Sequence, residues 1–502
     1  MITLLNIDSA MCRIGRRKVM RIKKFKVEQG QHWCLFGPNG AGKSLLANLI
    51  SFKRVESGYY VEYAEGFDPR RDLHIVSFEE QQKLWQRDNR LDISEYNADV
   101  RDVGTTVSEL ITSSRATKYY DELLLVKLVT ELGISNLIEK GIRFLSSGQI
   151  RKVLIARALY AFRPDVPQLL ILDDPLESID ADSREKIKTC IGKFLNSGFS
   201  SIQLSRRNSD ILPSVNCIAV MRDLGIIVQG QRREIESSEA FNEILNQVPV
   251  IPHTIPRKPV KSDHDLDKRS RPLVELIKVN AGYDGIAILK NFCWTMKSDD
   301  HVLIEGPNGC GKSTLLSLIN GENHKAYGQN VSLFGVRRGS GESIWDVKAK
   351  FGVVSNELHN KYVKGWKVLD VVVSGFYDSV GLYDHSGARE IEIARNWLSA
   401  LGISDLEKDF YEEVSFGEQR LSLLARAMVK FPKILILDEP CVGLDDYHRS
   451  LILGFLDKIA QQSDTNIIYV SHVVGEKPEC INRRLSFEPE KDGGFRITEA
   501  KF

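Results

Sequence analysis

The stretch Gly306-Pro307-Asn308-Gly309-Cys310-Gly311-Lys312-Ser313-Thr314 decides the fold. It follows the apolar run Val302-Leu303-Ile304 and leads into Leu315-Leu316-Ser317-Leu318-Ile319, which predicts a strand, a glycine loop and a helix. Glycines let backbone N–H groups close around phosphate oxygens, and the helix directs its positive end at the same anion. Lys312 would add a charge for the terminal phosphates, and the Ser313 hydroxyl would bind Mg²⁺. The alternative is a glycine-rich turn with an exposed lysine.

A second copy of this loop makes chance an unsatisfactory explanation. Gly37-Pro38-Asn39-Gly40-Ala41-Gly42-Lys43-Ser44 follows Trp33-Cys34-Leu35-Phe36. The offset from Lys43 to Lys312 is 269 residues, and other motifs repeat at 269 or 265 residues. A near-constant offset indicates one module written twice.

Composition excludes several classes of protein. The 502 residues suffice for two domains with full cores, and 68 Lys+Arg balance 67 Asp+Glu, so charge gives no reason to expect a nucleic-acid partner. The eight cysteines form no C-x-x-C motif, which favours separate reduced thiols in the cytoplasm over structural zinc. No stretch approaches the roughly 20 apolar residues of a membrane span, so we expect no transmembrane segment.

The chain is predicted to have two domains, 1–245 and 273–502, joined by a proline- and charge-rich connector, 246–272. Residues 1–30 alternate like an antiparallel β layer, and His74–Phe78 is predicted to be a strand. Residues 80–145 are predicted to be largely helical. The leucines of this region at helical spacing are predicted to belong to the core: Leu123, Leu124, Leu125, Leu128 and Leu132.

Two further pairs of motifs repeat. Leu169–Asp173 and Ile434–Asp438 are apolar runs ending in an acid, typical of parallel strands buried on both faces, with chemistry at their carboxyl ends. Leu145-Ser146-Ser147-Gly148-Gln149 and Val414-Ser415-Phe416-Gly417-Glu418 each open a predicted helix. Taken alone, these serine–glycine motifs are explained equally well as helix caps.

All the motifs together resemble the ATP-binding cassette (ABC) family over nearly the whole chain. The resemblance implies an α/β fold of two P-loop nucleotide-binding domains, each with a RecA-like core, an antiparallel β layer and a helical subdomain. It also implies ATP hydrolysis with Mg²⁺. Each ATP would contact the phosphate loop of one half and the signature of the other (Ser146 and Gly148, or Ser415 and Gly417). The halves would pair within one chain or between two chains.

The resemblance also assigns roles at the acidic strand ends. Asp173 and Asp438 would hold Mg²⁺ with Ser44 and Ser313. Glu439 would polarise the attacking water, and Asp174 stands where the family has this glutamate. His472 would sense the terminal phosphate, where the first half has Arg206. The D-loop aspartates would be Asp180 and Asp445.

Two other family positions differ between the halves. Tyr283 would stack on adenine, whereas the matching place in the first half is near Met11-Cys12. The Q-loop glutamine is replaced by Asn356, with Glu79 expected at the matching place in the first half. We therefore expect the first site to bind ATP but hydrolyse it slowly, and the second to turn over. The alternative is that these replacements have no functional consequence.

A finer resemblance is to the ModF-type, or photorepair-type, tandem ATPases associated with molybdate transport. It rests on residues 332–348, 373–383 and 76–84 and on Arg206. It implies a cytoplasmic protein that associates peripherally with the inner face of a membrane through a separate permease. A regulatory or repair-associated ATPase and an ABC-F-like translation factor are alternatives. The short, proline-broken connector disfavours the translation factor.

Overall fold

The computed structural model divides the chain into two compact units. One comprises Met1–Gln247 with Asp445–Tyr447, and the other Val248–Leu444 with His448–Phe502. The structure describes the whole chain except residues 1, 15–17, 52–60, 91–103, 116–118, 164–165, 178, 180, 197, 259–271, 284–285, 308, 322–325, 327, 363–364, 383–385, 472, 474 and 491–493. Across the described residues, every helix is too short or too polar to span a bilayer.

The first unit alternates strands and helices. Its strands are β1 (Thr3–Ile14), β2 (Lys18–Glu28), β3 (His32–Phe36), β4 (Val61–Tyr63), β5 (Leu73–Val76), β6 (Leu169–Asp173), β7 (Ser200–Ser205), β8 (Cys217–Arg222) and β9 (Gly225–Gln231). Its helices are α1 (Lys43–Ile50), α2 (Pro69–Asp72), α3 (Phe78–Arg90), α4 (Val107–Thr112), α5 (Glu122–Glu131), α6 (Ser147–Tyr160), α7 (Ala181–Leu195), α8 (Arg232–Glu236) and α9 (Glu239–Leu245).

One nine-stranded sheet organises this unit, in the order β4-β1-β2-β9-β8-β3-β7-β6-β5. The strands from β8 to β5 are parallel, and β6 is apolar and buried up to its final aspartate, as expected of a strand covered on both faces. The β1–β2 hairpin is antiparallel, which confirms the β layer predicted for residues 1–30.

The second unit repeats the pattern with two sheets. Its strands are β10 (Val274–Tyr283), β11 (Ile286–Met296), β12 (Val302–Glu305), β13 (Asn330–Leu333), β14 (Val336–Arg337), β15 (Phe351–Val354), β16 (Ile434–Asp438), β17 (Asn466–Ser471), β18 (Arg483–Pro489) and β19 (Phe495–Lys501). Its helices are α10 (Lys312–Ile319), α11 (Ile344–Lys348), α12 (Asn356–Lys361), α13 (Val368–Val373), α14 (Ala388–Ala400), α15 (Phe416–Met428) and α16 (Asp446–Gln462).

Strand order shows that the two halves share one core topology. The larger sheet of the second unit runs β15-β16-β17-β12-β18-β19, which matches β5-β6-β7-β3-β8-β9. The smaller sheet, β11-β10-β13-β14, is antiparallel throughout. The predicted fold class is confirmed: each unit combines a mainly parallel core sheet, an antiparallel layer and a group of helices.

Two sequence predictions in the helical region of the first unit need correction. The strand ends at Val76 rather than Phe78, because the Ser77 hydroxyl accepts the Glu80 N–H at 3.2 Å and thereby starts α3. Leu125 and Leu128 are buried as predicted, but Leu123 is 84% exposed. Leu123 lies on the opposite face of α5, so the run of leucines extends beyond the side of the helix that faces the core.

Part of the predicted connector contacts the second unit. The Ile255 N–H donates to the side-chain oxygen of Gln462 at 3.1 Å, and the Gln462 amide donates to the His253 carbonyl at 2.7 Å. Ile251 covers Gly454 of α16 so closely that a Cβ there would lie 2.1 Å from its Cδ1. Residues 251–255 therefore pack on α16, while 259–271 lie outside the described residues.

Candidate active sites

The second phosphate loop has the geometry that its glycines predict. Gly311 caps α10 with a left-handed φ of 106°, and Gly309 has a φ of 81°. A Cβ on Gly311 would lie 2.1 Å from Cγ2 of Ile288, so only glycine fits. The Lys312 ammonium donates to the carbonyls of Gly306 at 2.8 Å and Pro307 at 3.1 Å. These bonds hold the lysine over its own loop.

The first loop repeats this arrangement. Gly42 caps α1 with a φ of 98°, and the Lys43 ammonium donates to the carbonyls of Gly37 at 2.6 Å and Pro38 at 2.8 Å. Burial lowers the pKa of Lys43. The Ser44 hydroxyl donates to Oδ2 of Asp173 at 3.2 Å. Both predicted Mg²⁺ ligands of the first site therefore lie side by side.

A cavity of about 330 Å³ opens over the second loop. It is lined by Ile288, Gly309, Gly311, Lys312, Ser313, Thr314, Asp438 and Glu439. The structure thus brings together the predicted phosphate-loop, Mg²⁺ and water-polarising residues of this half. Ile288 was missed by the sequence analysis, because a single apolar residue in a β strand carries no signal for a binding site.

The residues around both acids suit Mg²⁺, which prefers hard oxygen ligands and keeps several waters. Burial, and secondly the charge of Glu439, raise the pKa of Asp438 to about 6. Burial also raises the pKa of Asp173. A bound cation would relieve both costs. Among the described residues, no cluster of three or more His, Cys, Asp or Glu side chains suggests any other metal centre.

The residue after each acidic strand adopts the same strained backbone. Asp174 has a φ of 44° and Glu439 a φ of 51°, in the left-handed region that side chains rarely occupy. The neighbouring strand holds each one: the Asp174 N–H donates to the Leu204 carbonyl at 3.2 Å, and the Glu439 N–H to the Val470 carbonyl at 3.1 Å. The two positions are therefore equivalent in backbone, and strain of this kind clusters at functional sites.

The side chains around these two positions differ. The Nη2 atom of Arg206 lies 3.0 Å from Oδ2 of Asp174 and 2.5 Å from Oε2 of Glu177. All three side chains are at most 19% exposed. Burial is the largest cause that raises the pKa of Asp174 to about 7. The charge of Arg206 lowers this pKa, while the charges of Asp173 and Glu177 raise it. The carboxylates raise the pKa of Arg206 against the effect of burial.

The signature serines cap their helices. The Ser146 hydroxyl accepts the Gln149 N–H at 3.3 Å, and the Ser415 hydroxyl accepts the Glu418 N–H at 3.4 Å. Gly148 and Gly417 follow in the first turn, and a Cβ on Gly417 would lie 2.4 Å from the His448 ring. The helix-cap interpretation therefore holds for both motifs. Their contact with a phosphate stays a prediction.

The Q-loop position in the first half was assigned one residue too far. Val76 of β5 pairs with Leu172, and Val354 of β15 pairs with Leu437, so the two valines are equivalent. Asn356 therefore matches Phe78, which is 44% exposed, and not Glu79. The loops before the two strands differ in length, so only strand register fixes this alignment.

Asn356 is bound to the signature helix of its own unit. Its side-chain oxygen accepts a hydrogen bond from Arg420 of α15, a residue 1% exposed. The Arg420 guanidinium also lies 4.9 Å from the centre of the Phe416 ring. The start of α12 and the start of α15 are thereby joined.

Several predicted site residues lie outside the described part of the chain. Asn308, His472 and Asp180 are among them, as are the side chains of Tyr283 and Ser147. The backbone of Tyr283 ends β10. At the matching place of the first half, Met11 is 52% exposed and Cys12 is 1% exposed.

Comparison with known proteins gives similarities over the whole chain. The family model described as ABC transporter matches residues 21–177 and 289–442. The chain is 33% identical to the ABC transporter ATP-binding protein ModF of Escherichia coli (strain K12), over 98% of each chain. It is 25% identical to an uncharacterised ABC transporter ATP-binding protein of Schizosaccharomyces pombe, over 93% of this chain and 94% of that one.

Solved structures with the same fold match this chain along nearly its whole length. One is the archaeal ribosome recycling factor aABCE1, in complex with the ribosomal stalk protein aP1. Its TM-score is 0.56 at 18% identity, over 98% of this chain and 90% of that chain. Another is an RNase-L inhibitor, with a TM-score of 0.54 at 18% identity, over 99% and 90%. At this identity the likeness concerns the fold alone.

Proposed function

Because the chain belongs to the ABC transporter family of ATPases, with a cassette in each half, we propose that it hydrolyses ATP mainly at the second phosphate loop. The observation that carries this proposal is the salt bridge between Arg206 and Asp174 at 3.0 Å. In the second cassette, the equivalent Glu439 lines an open cavity together with Lys312 and Asp438.

The residues of the second site would supply the parts that phosphoryl transfer needs. Lys312 and the loop N–H groups would bind the phosphates, while Ser313 and Asp438 would hold Mg²⁺, which neutralises developing charge. Glu439 would orient a water molecule and accept its proton. The water oxygen then bonds to the γ-phosphorus, the bond from that phosphorus to the bridging oxygen breaks, and ADP leaves. Binding and positioning account for most of the rate.

The first site lacks the positioned base. Aspartate is one methylene shorter than glutamate, and a misplacement of about 1 Å costs on the order of 10²-fold in rate. Asp174 is also bound to a permanently charged guanidinium, which competes with water for its oxygens. Lys43 and Ser44 remain, so binding can survive where turnover fails. Contacts from the signatures, Ser146 with Gly148 and Ser415 with Gly417, belong to the same proposal.

The test compares Glu439→Gln with Asp174→Asn in steady-state ATPase assays. We expect Glu439→Gln to lower kcat on the order of 10²-fold or more and Asp174→Asn to lower it several-fold at most. ATP affinity, measured by equilibrium binding, should stay within a few-fold in both variants. A larger loss from Asp174→Asn would refute the assignment.

For the biological role, we propose the ATP-binding component of a transport system, cytoplasmic and peripheral to the membrane. The support is the similarity to ModF and the family of the cassettes. Molybdate as cargo rests on the resemblance to that group alone. A permease would be the partner.

A regulatory or repair-associated ATPase without a permease is the second candidate. The observation that favours it is the replacement of both Q-loop residues, by Phe78 and by an Asn356 side chain that is bound to Arg420. Fractionation of cells that express Glu439→Gln, with ATP present, separates the two roles. Recovery with membranes, lost when Lys312→Ala is added, supports transport. A wholly soluble protein supports the second candidate, and recovery with ribosomes would favour a translation factor.

A further inference from the structure

Glu177 lies one turn beyond Asp174 and has no role in the catalytic scheme above. Its N–H donates to the Asp174 carbonyl at 3.1 Å, so the two residues belong to the same tight turn. Its carboxylate accepts a hydrogen bond from Nη2 of Arg206 at 2.5 Å. The same nitrogen lies 3.0 Å from the Asp174 carboxylate. One guanidinium group therefore bridges two acidic side chains.

The second cassette provides an internal comparison. The Val442 N–H donates to the Glu439 carbonyl at 3.3 Å, so Val442 occupies the place of Glu177. Arg206 follows Ser205, the last residue of β7, and His472 follows Ser471, the last residue of β17. The two cassettes thus differ at both positions together: glutamate with arginine in the first, and valine with histidine in the second.

Because they are buried, the Arg206 guanidinium and the carboxylates of Asp174 and Glu177 stabilise one another. Arg206 and Asp174 are each 13% exposed and Glu177 is 19% exposed. A buried charge that loses its partner is costly, whereas a charge with hydrogen-bonded partners is tolerated. Although burial opposes it, the charges of Arg206, Arg151 and Arg207 lower the pKa of Glu177. The glutamate is therefore an anion that fixes the arginine at the end of β6 and β7.

We propose that Glu177 is a positioning residue that holds Arg206 on the Asp174 carboxylate and so prevents this carboxylate from serving the attacking water. The inference rests on the proposed function, because it gives the physical cause of slow turnover at the first site. It adds that the shorter side chain of Asp174 is not the whole cause. Restoring a glutamate there leaves the restraint in place.

Single-turnover hydrolysis in a Glu439→Gln background tests this, because the second site is then silent. Four proteins are compared: the background, the background with Asp174→Glu, the background with Glu177→Val and Arg206→His, and the background with all three changes. We expect the full set to hydrolyse ATP at least on the order of 10-fold faster than Asp174→Glu alone, with unchanged ATP affinity. A rate change without an affinity change separates positioning from a structural role.

Equal rates for Asp174→Glu and for the full set would overturn the inference. If the full set is unstable, Glu177→Gln with Asp174→Glu replaces it, since the amide keeps the shape and removes the charge. We then expect a hydrolysis rate above that of Asp174→Glu alone but below that of the full set. A rate equal to that of Asp174→Glu alone would contradict the inference. If the background alone hydrolyses as fast as the unsubstituted protein, the proposed function itself fails, and the two failures are distinct.

Discussion

Gln81 of α3 and His359 of α12 occupy equivalent places, each the fifth residue after its strand, yet their side chains are satisfied differently. Nδ1 of His359 lies 2.8 Å from the hydroxyl of Tyr411. Gln81 is 1% exposed, and neither polar atom of its side chain has a partner within the described part of the chain. The short 3₁₀ helix that begins with this tyrosine, Tyr411–Glu413, corresponds to Ile142–Phe144 in the first unit, and isoleucine offers no hydroxyl.

This difference predicts opposite effects of the same substitution. Gln81→Leu should leave stability unchanged or raise it by about 1 kcal/mol, because a buried unpaired amide is removed. His359→Leu should lower stability by about 1–3 kcal/mol, because the Tyr411 hydroxyl then keeps only its long 3.5 Å hydrogen bond to the Gln419 carbonyl. Urea unfolding of the two variants beside the unsubstituted chain measures both effects. Similar losses in the two variants would contradict the assignment.

The histidine also predicts a dependence of stability on pH. Burial, and secondly the charge of Arg420, lower the pKa of His359 from 6.5 to about 4. Between these values the unfolded chain binds a proton that the folded chain does not, so stability falls as pH falls from 6.5 to 4. His359→Gln should reduce this loss by about 1–3 kcal/mol at pH 4, after allowance for solvent screening. If the free energy of unfolding falls equally in the two proteins from pH 7 to pH 4, the prediction is wrong.

The second signature helix predicts a steric effect. Gly417→Ala would place a Cβ 2.4 Å from the His448 ring, so one of them must move. We expect this change to lower the free energy of unfolding by about 1–3 kcal/mol, because the clash forces the start of α15 or the histidine to shift. Under the proposed function this signature serves the first site, so steady-state kcat should change little. His448→Ala should cost less stability in the Gly417→Ala background than in the unsubstituted chain, as measured by urea unfolding. Equal costs in the two backgrounds would show that the clash is not the cause.

A buried network that includes Ser471, the residue before His472 in the sequence, predicts a further positioning effect. Oε1 of Glu476 accepts hydrogen bonds from the hydroxyls of Tyr469 and Ser471, both at 3.3 Å, and Oε2 lies 3.0 Å from Nε of Arg449. Because Ser471 directly precedes His472, Glu476→Ala should lower kcat on the order of 10-fold and leave ATP affinity nearly unchanged.

The first unit supplies a matched control for this network. Arg184 and Asp210 form the equivalent ion pair at 3.1 Å, in the half where Arg206 instead of a histidine follows the strand. Asp210→Ala should cost comparable stability but change kcat less than twofold, because under the proposed function the first site contributes little turnover. Equal losses of kcat from Asp210→Ala and Glu476→Ala would indicate a purely structural role for both pairs.

The phosphate loops, the acidic strand ends and the order of strands and helices around them were predictable from sequence. Each is a local pattern: glycines at fixed spacing, an apolar run ending in an acid, or a serine that caps a helix. The Q-loop alignment failed because it crosses loops of unequal length. The prediction that Leu123 belongs to the core was wrong because helical spacing alone does not say which face of α5 is covered.

The sequence by itself determined that this chain contains two phosphate-binding modules whose chemically important residues differ, since those residues lie within short, recognisable motifs. Only the tertiary structure decided which contacts these differing residues make. Glu177 and Arg206 are 29 residues apart along the chain, and they meet because β6 and β7 are parallel neighbours that end at the same edge of the sheet. The lining of the second cavity by Ile288, from a strand before the loop, has the same origin. Contacts of this kind depend on the register and packing of strands, which no single motif contains.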